Sequence, residues 1–388
     1  MKLHIKSIVL AGILSACSIL FFAAIGSANM IANNSIARDS LIGAGHMVAM
    51  ASPTLIPPKD SGLTIHSPSL HKNGSVVFTG GFLFYSNNPE TVYNDHLADN
   101  GCWLNQGLVS GRGQIYVWHQ NGTNKTINAD LLVTNPNSTS IMVKSNQYGL
   151  TNGMDVSDVR AWDTYLTSRQ AGISIMVEPG QTVPLFNQAV APSYNYGIVA
   201  AVNITDINGN PAQAFLEDIA YHQKISKVKF AGYDGTKRCR GIGSSYQSII
   251  TFDPVKITDR NFYAYSIGAR EDSLDGKDLV KIKDGSNNKE SLLEGNYGQV
   301  MTINLPIKNS YRSNQNFAVF IGSIGGYSFP LVELNKTSCI YVPVKPFSAY
   351  DMIQTGKINR GSTVTVSFTL VIPALSSTPL IIGVHPIN

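Results

Sequence analysis

The chain has 388 residues, of which 14% are charged, and a formal net charge of +4 at pH 7. That length suffices for two ordinary domains, and the weak, scattered positive charge argues against nucleic acid as a partner. Glycine, asparagine, serine and threonine punctuate short apolar runs, and long stretches of helical periodicity are nearly missing. The expected fold is therefore all-β: two tandem antiparallel β-sandwich domains after an N-terminal signal segment.

Residues 1–28 read as a secretory signal peptide. Lys2 and Lys6 form a basic start, Ile8–Gly26 is almost wholly apolar, and Gly26-Ser27-Ala28 offers small residues for cleavage. Two alternatives stand beside simple cleavage. Leu14-Ser15-Ala16-Cys17 resembles a lipobox, which would put a lipid on Cys17, although Ile19-Leu20-Phe21-Phe22 prolongs the apolar run. An uncleaved anchor is the other, since the stretch just reaches the length of a span. All three place the protein outside the cytoplasm, secreted or on the cell surface.

Residues 29–75, with Pro53, Pro57, Pro58 and Pro68, read as a linker or extended arm. Residues 76–224 form the first expected sandwich and 225–388 the second. The basic stretch Lys224–Gly243 marks the joint between them, where Lys224, Lys227, Lys229, Lys237, Arg238 and Arg240 raise the charge density. Val159–Ser168 is the place for one short helix in the first domain, and Ala212–His222 is a strand or short helix.

Two segments read alike, Gly111–Pro136 and Gly295–Gly322. Each runs from an alternating strand through an Asn-rich loop into an apolar return strand. Each is followed by a glycine turn, at Gly180 and Gly361. The first copy reads as a hairpin. Ile115, Val117 and His119 share a face, as do Ile127, Ala129, Leu131 and Val133. Register follows the apolar face, so an odd-length loop would pair Val117 with Ile127. Thr363–Ile372 alternates cleanly, with Val364, Val366, Phe368 and Leu370 on one side. Arg360-Gly361 and Pro373 bound it, which makes it the expected edge strand.

Candidate sites are few. Trp103, Trp118 and Trp162 with Tyr116 could form a platform for stacking sugars, because aromatic rings supply flat apolar area with polar edges. Packing inside a core would use the same residues. Asp272, Asp275 and Asp278 could hold Ca²⁺, a hard cation that wants oxygen ligands, or could be a solvated loop balanced by Arg270 and Lys277. No other cofactor is expected. Asp206–Glu217 has acidic and amide residues at calcium-loop positions, but Pro211 stands where that loop needs glycine, so a turn is preferred. A hydrolase would need nucleophile, base and acid together. His119, His222 and Asp163 are present, without a nucleophile-elbow serine. Beyond the leader, Cys102, Cys239 and Cys339 allow at most one intramolecular disulfide or remain buried thiols.

Asn88-Pro89-Glu90, Gly113–His119, Leu132–Pro136, Asn195-Tyr196-Gly197 and Asn296-Tyr297-Gly298 resemble short motifs of a loosely defined set of exported β-rich cell-envelope proteins of Gram-positive bacteria and cyanobacteria. The resemblance runs from Pro89 to the C-terminus. It implies a secreted, β-rich envelope protein and brings no catalytic residue. The expected function is a structural or adhesive one at the cell surface, with an envelope component or further copies of the chain as partner. A carbohydrate-binding role and a hydrolase acting on envelope polymers are the alternatives.

Overall fold

The computed structural model describes residues 70–71, 73–97, 100–154, 157–167, 172–225, 228–235, 238–257, 263–270, 274–335, 338–341 and 351–387. The leader, Cys17, nearly all of the 29–75 arm and Asp272 lie outside them. The described chain is mostly strand, gathered in sheets of five, thirteen and seven strands, with one α-helix at Ser157–Thr167. The all-β expectation is met, and the helix falls where the sequence placed it. Among the described residues no helix is long and apolar enough to cross a membrane.

The twenty-residue strand Cys102–Asn121 organises the first half. Its N-terminal part pairs with Gln213–Tyr221 and its C-terminal part with Asn195–Asp206, so one strand serves two layers. The change of partner falls at Gly111, whose φ of 69° is in the left-handed region that favours glycine. Between the layers lies one core. Ile115 and Val117 enter it from one side, and Ile127, Leu131 and Val133 from the other.

The expected hairpin is not formed. Val117 pairs with Ile198, not Ile127, and Ile127–Thr134 pairs with Gln213–Tyr221 and Thr182–Val190. The polar loop after Asn121 is an arch that carries the chain from one layer to the other. Alternation identifies which side chains face the core but not which strand lies beside them. Two strands facing each other across a core carry the same pattern as two neighbours in a sheet.

The duplication is present in a different alignment. Strands Ile127–Thr134, Ile141–Gly153, Ile173–Val177, Thr182–Val190 and Asn195–Asp206 have counterparts in Val300–Asn309, Gln315–Ser323, Asp351–Ile358, Thr363–Val371 and Leu380–Ile387. In each set the first pairs with the fourth, and the second pairs with both the third and the fifth. The fifth also pairs with Cys102–Asn121 in one set and Tyr263–Ile267 in the other.

Asn135 and Asn309 hold equivalent arches. The Asn135 amide donates to Thr139 O and Val177 O, both at 2.8 Å, and its carbonyl accepts from Asn137 N at 2.9 Å. The Asn309 amide donates to Ser313 O (2.8 Å) and Ile358 O (3.2 Å), and its carbonyl accepts from Tyr311 N at 2.8 Å. The backbone N–H groups of the two asparagines donate to Gln181 O and Ser362 O, each just after its glycine turn. Gly180 and Gly361 have φ of 70° and 67°. The second-half loop thus corresponds to the one after Asn135, not the one after Asn121.

The sheets do not divide along the sequence. Leu70–His71 and Gly74–Thr79 pair with Tyr263–Ile267 and Gln247–Phe252, in the sheets of the second half. The next strand, Phe82–Ser86, pairs with the long strand of the first half and with Arg240–Gly243. Thr363–Val371, expected at an edge, pairs with Val300–Asn309 along most of its length and gains Leu331–Asn335 as a second neighbour only at Thr369–Val371, so it is interior at its C-terminal end alone among the described residues. Its inward residues Val366, Phe368 and Leu370 are buried as the alternation indicated. Clean alternation marks a half-buried strand, and interior and edge strands share it.

Candidate functional site

The aromatic residues singled out from the sequence do not form a surface platform. Tyr116 and Trp118 project from the long strand on the side away from the first core, as read. A third core covers that side. There Leu83, Tyr85, Tyr116, Trp118 and Val199 meet helix residues Val159, Ala161, Trp162 and Tyr165, together with Leu331, Val371 and Ala374 of the second half. Tyr116 and Trp162 are fully buried, with ring centroids 5.5 Å apart. Trp103 stands apart and half-buried, its indole N–H donating to Glu217 Oε1 at 2.9 Å. The sequence shows an aromatic face on the strand, but only the fold shows that helix and second half close over it.

The acidic loop is likewise divided. Asp278 is buried and accepts from Gly268 N and Asn296 Nδ2, both at 2.8 Å. Asp275 is exposed with a φ of 53°. Among the described residues no group of three His, Cys, Asp or Glu side chains is placed to hold a metal. Asp206 forms a turn: its carboxylate accepts from Asn208 N (2.8 Å), Asn210 N (2.9 Å) and Asn210 Nδ2 (3.0 Å). Cys102 and Cys239 are free buried thiols, pushed up to about 12 by burial.

Two polar centres are sealed in the interior. The His119 ring is fully buried. Its Nδ1 lies 2.6 Å from Pro89 O, which only accepts, so Nδ1 carries a proton. Its Nε2 lies 3.1 Å from Asp218 Oδ2 and 3.0 Å from Ser86 Oγ. A histidine, a carboxylate and a serine therefore meet, but Ser86 and Asp218 share one nitrogen, whereas a nucleophilic triad uses both. The second centre is Asp158, in the first turn of the helix. Its carboxylate accepts from Tyr116 OH (2.9 Å), Thr151 Oγ1 (3.2 Å) and Ala374 N (2.7 Å). Burial pushes Asp158 up to about 6 against the opposing pull of these donors.

The open sites lie elsewhere. A cleft of about 650 Å³ is bounded by Gln106–Leu108, Phe215, Ile242 and the Lys281–Glu290 region. A second, of about 460 Å³, lies between the turn holding Asp95 and His96 and the segment Lys229–Tyr233. Behind the second cleft is Arg240, only 2% exposed. Its guanidinium carbon sits 5.0 Å from the Phe230 ring centre and 4.6 Å from that of Tyr233. Its Nη1 donates to Asn88 O (3.1 Å) and Ala231 O (2.9 Å). Burial lowers Arg240 to about 10.

This cleft is built on the basic stretch expected to join the two domains. The available signal was the run Lys229-Phe230-Ala231-Gly232-Tyr233, two aromatics beside small residues and charge. Charge density alone does not reveal that one arginine is inside and stacked.

No family model matches the chain, and no curated protein matches it. Among solved structures it has similarity to the PBSX exported protein XepA, at 6% identity over 75% of this chain and 88% of that one, with a TM-score of 0.18. Tripeptidyl peptidase 2 aligns at 8% identity over 72% of this chain and 22% of that one, with a TM-score of 0.19. The CBM22 tandem domain of Paenibacillus barcinonensis Xyn10C aligns at 10% identity over 82% of this chain and 92% of that one, with a TM-score of 0.16. At these scores the similarities carry no argument about fold or function.

Proposed function

We propose that the protein is exported by its 1–28 leader and acts at the cell surface by contact, as a structural or adhesive protein built of two tandem β-sandwiches. The repeated five-strand pairing supports the tandem arrangement. The observation that carries the contact role is the edge strand Gly74–Thr79. It pairs with Gln247–Phe252 on one side, and among the described residues with no strand on the other. It contains no proline and no charge, the usual devices that blunt an edge. Val77 and Phe78 are 54% and 38% exposed, and Ile249, the register partner of Val77, is 38% exposed. An open backbone ladder beside an apolar strip suits strand addition by an envelope component or another copy of the chain. The hydrolase alternative would require His119 or Asp158 to open to solvent.

The test is co-sedimentation with isolated cell-envelope material, alongside analytical ultracentrifugation. Val77→Lys places a charge on an exposed position and should weaken envelope binding or self-association without unfolding the protein. A wild-type protein that stays monomeric and binds no envelope fraction refutes the contact role. For the leader, mass spectrometry of protein from the native host should find a mature N-terminus near Asn29. A lipid-modified Cys17 would replace secretion with a membrane tether.

A further inference from the structure

The smaller cleft has the parts that recognise a sugar ring. Tyr233 is 48% exposed. Its ring is backed by the Arg240 guanidinium, which is itself held by two backbone carbonyls. A buried cation is costly to desolvate. Here it fixes an aromatic ring from behind while much of that ring stays open to solvent. A ring held this way loses little freedom when a ligand stacks on it.

Polar groups line the same cleft. Asp95 is exposed, and its Oδ1 accepts from His96 N at 3.1 Å. The Nδ1 of His96 accepts from Tyr93 N at 3.1 Å, so the neutral ring carries its proton on Nε2 and is a donor there. Tyr93, 52% exposed, lies with its ring centre 6.0 Å from that of His96. Lys229 completes the lining. An acidic and a basic side chain thus balance on the walls. A polyanion or polycation would meet one like charge on entry, whereas an uncharged ligand rich in hydroxyls can use both.

We propose that this cleft binds a neutral pyranose unit of a cell-envelope polysaccharide, stacked on Tyr233 and hydrogen-bonded by Asp95, His96 and Lys229. The assignment rests on the contact role above and gives that contact a ligand class. It uses a different surface from the Gly74–Thr79 edge, so the two can fail separately.

Titration calorimetry of the full chain with cellotetraose, xylotetraose and chitotetraose tests it. At least one should bind. Tyr233→Ala should weaken that binding roughly tenfold, in line with the loss of one aromatic contact. Tyr233→Phe should retain most of it, because the stacking face remains. Asp95→Ala, at an exposed position, should weaken binding without changing thermal stability. Leu108→Ala, in the larger cleft, should have no effect. Absence of binding by all three oligosaccharides overturns the assignment, as does binding that survives Tyr233→Ala. If envelope co-sedimentation persists in either case, the contact role stands and only the sugar site falls.

Discussion

Asp158 should make stability fall as pH rises through the mildly acidic range. In the fold its carboxyl titrates near 6, raised by burial above the ordinary range of an aspartate. The folded state therefore holds this proton more tightly than the unfolded chain does. The contribution is fully present below about pH 4 and is lost as pH rises through about 6. A difference of about two pKa units corresponds to roughly 3 kcal/mol, a substantial share of the ~5–15 kcal/mol that holds a typical fold. The perturbation is Asp158→Asn, which keeps the shape and removes the titration. Some hydrogen bonds to Tyr116, Thr151 and Ala374 will change, but that offset does not depend on pH. Urea denaturation of both proteins between pH 4 and 7 separates the two effects. The variant should gain on the wild type by roughly 2.5 kcal/mol across that window, most of the full contribution. Other groups, such as Asp130, which titrates near 6, cancel in the difference. Parallel profiles would refute the reasoning. Ala374 belongs to the second half, so the same variant should move the cohesion of the third core more than that of the other two.

Two further changes probe the fold. Asn135→Ala and Asn309→Ala each remove two amide donors and one acceptor from buried and partly buried backbone partners, so both should cost about 2–3 kcal/mol by urea denaturation. Very unequal losses would argue against equivalent arches. Val366→Pro places proline in a strand paired to Leu305 and flanked on both sides near its C-terminal end. It should destabilise the second half by circular dichroism, because proline removes a ladder donor and Val366 is buried in that half's core. A well-folded variant with weakened self-association would restore the edge reading.

Several features were legible in the sequence because they depend only on local pattern. Alternation gave the core-facing sides of Ile115 and Val117, of Ile127 to Val133, and of Val364 to Leu370. The mixed segment around Val159–Ser168 gave the one α-helix among the described residues. Glycine at 180 and 361 gave two equivalent turns, since left-handed backbone selects that residue. Likeness of segments gave a repeat, though a strand–loop–strand pattern recurs at both the Asn121 and Asn135 arches, and local likeness does not distinguish which of them corresponds to the Asn309 arch.

What only the tertiary structure decided is who stands next to whom. A strand's period states that one face is buried and leaves its neighbour unspecified, so Val117 found Ile198 and the hairpin became an arch. The second face of the long strand was aromatic in the sequence. Whether Trp118 and Tyr116 would meet water or protein depended on a helix and a second half arriving from distant positions. Arg240 is one of six basic residues that raise the charge density of Lys224–Gly243, and only the fold places it beneath Tyr233. Exposure, strand partnership and the shape of a cleft are sums over contacts between remote residues, and no local pattern encodes them.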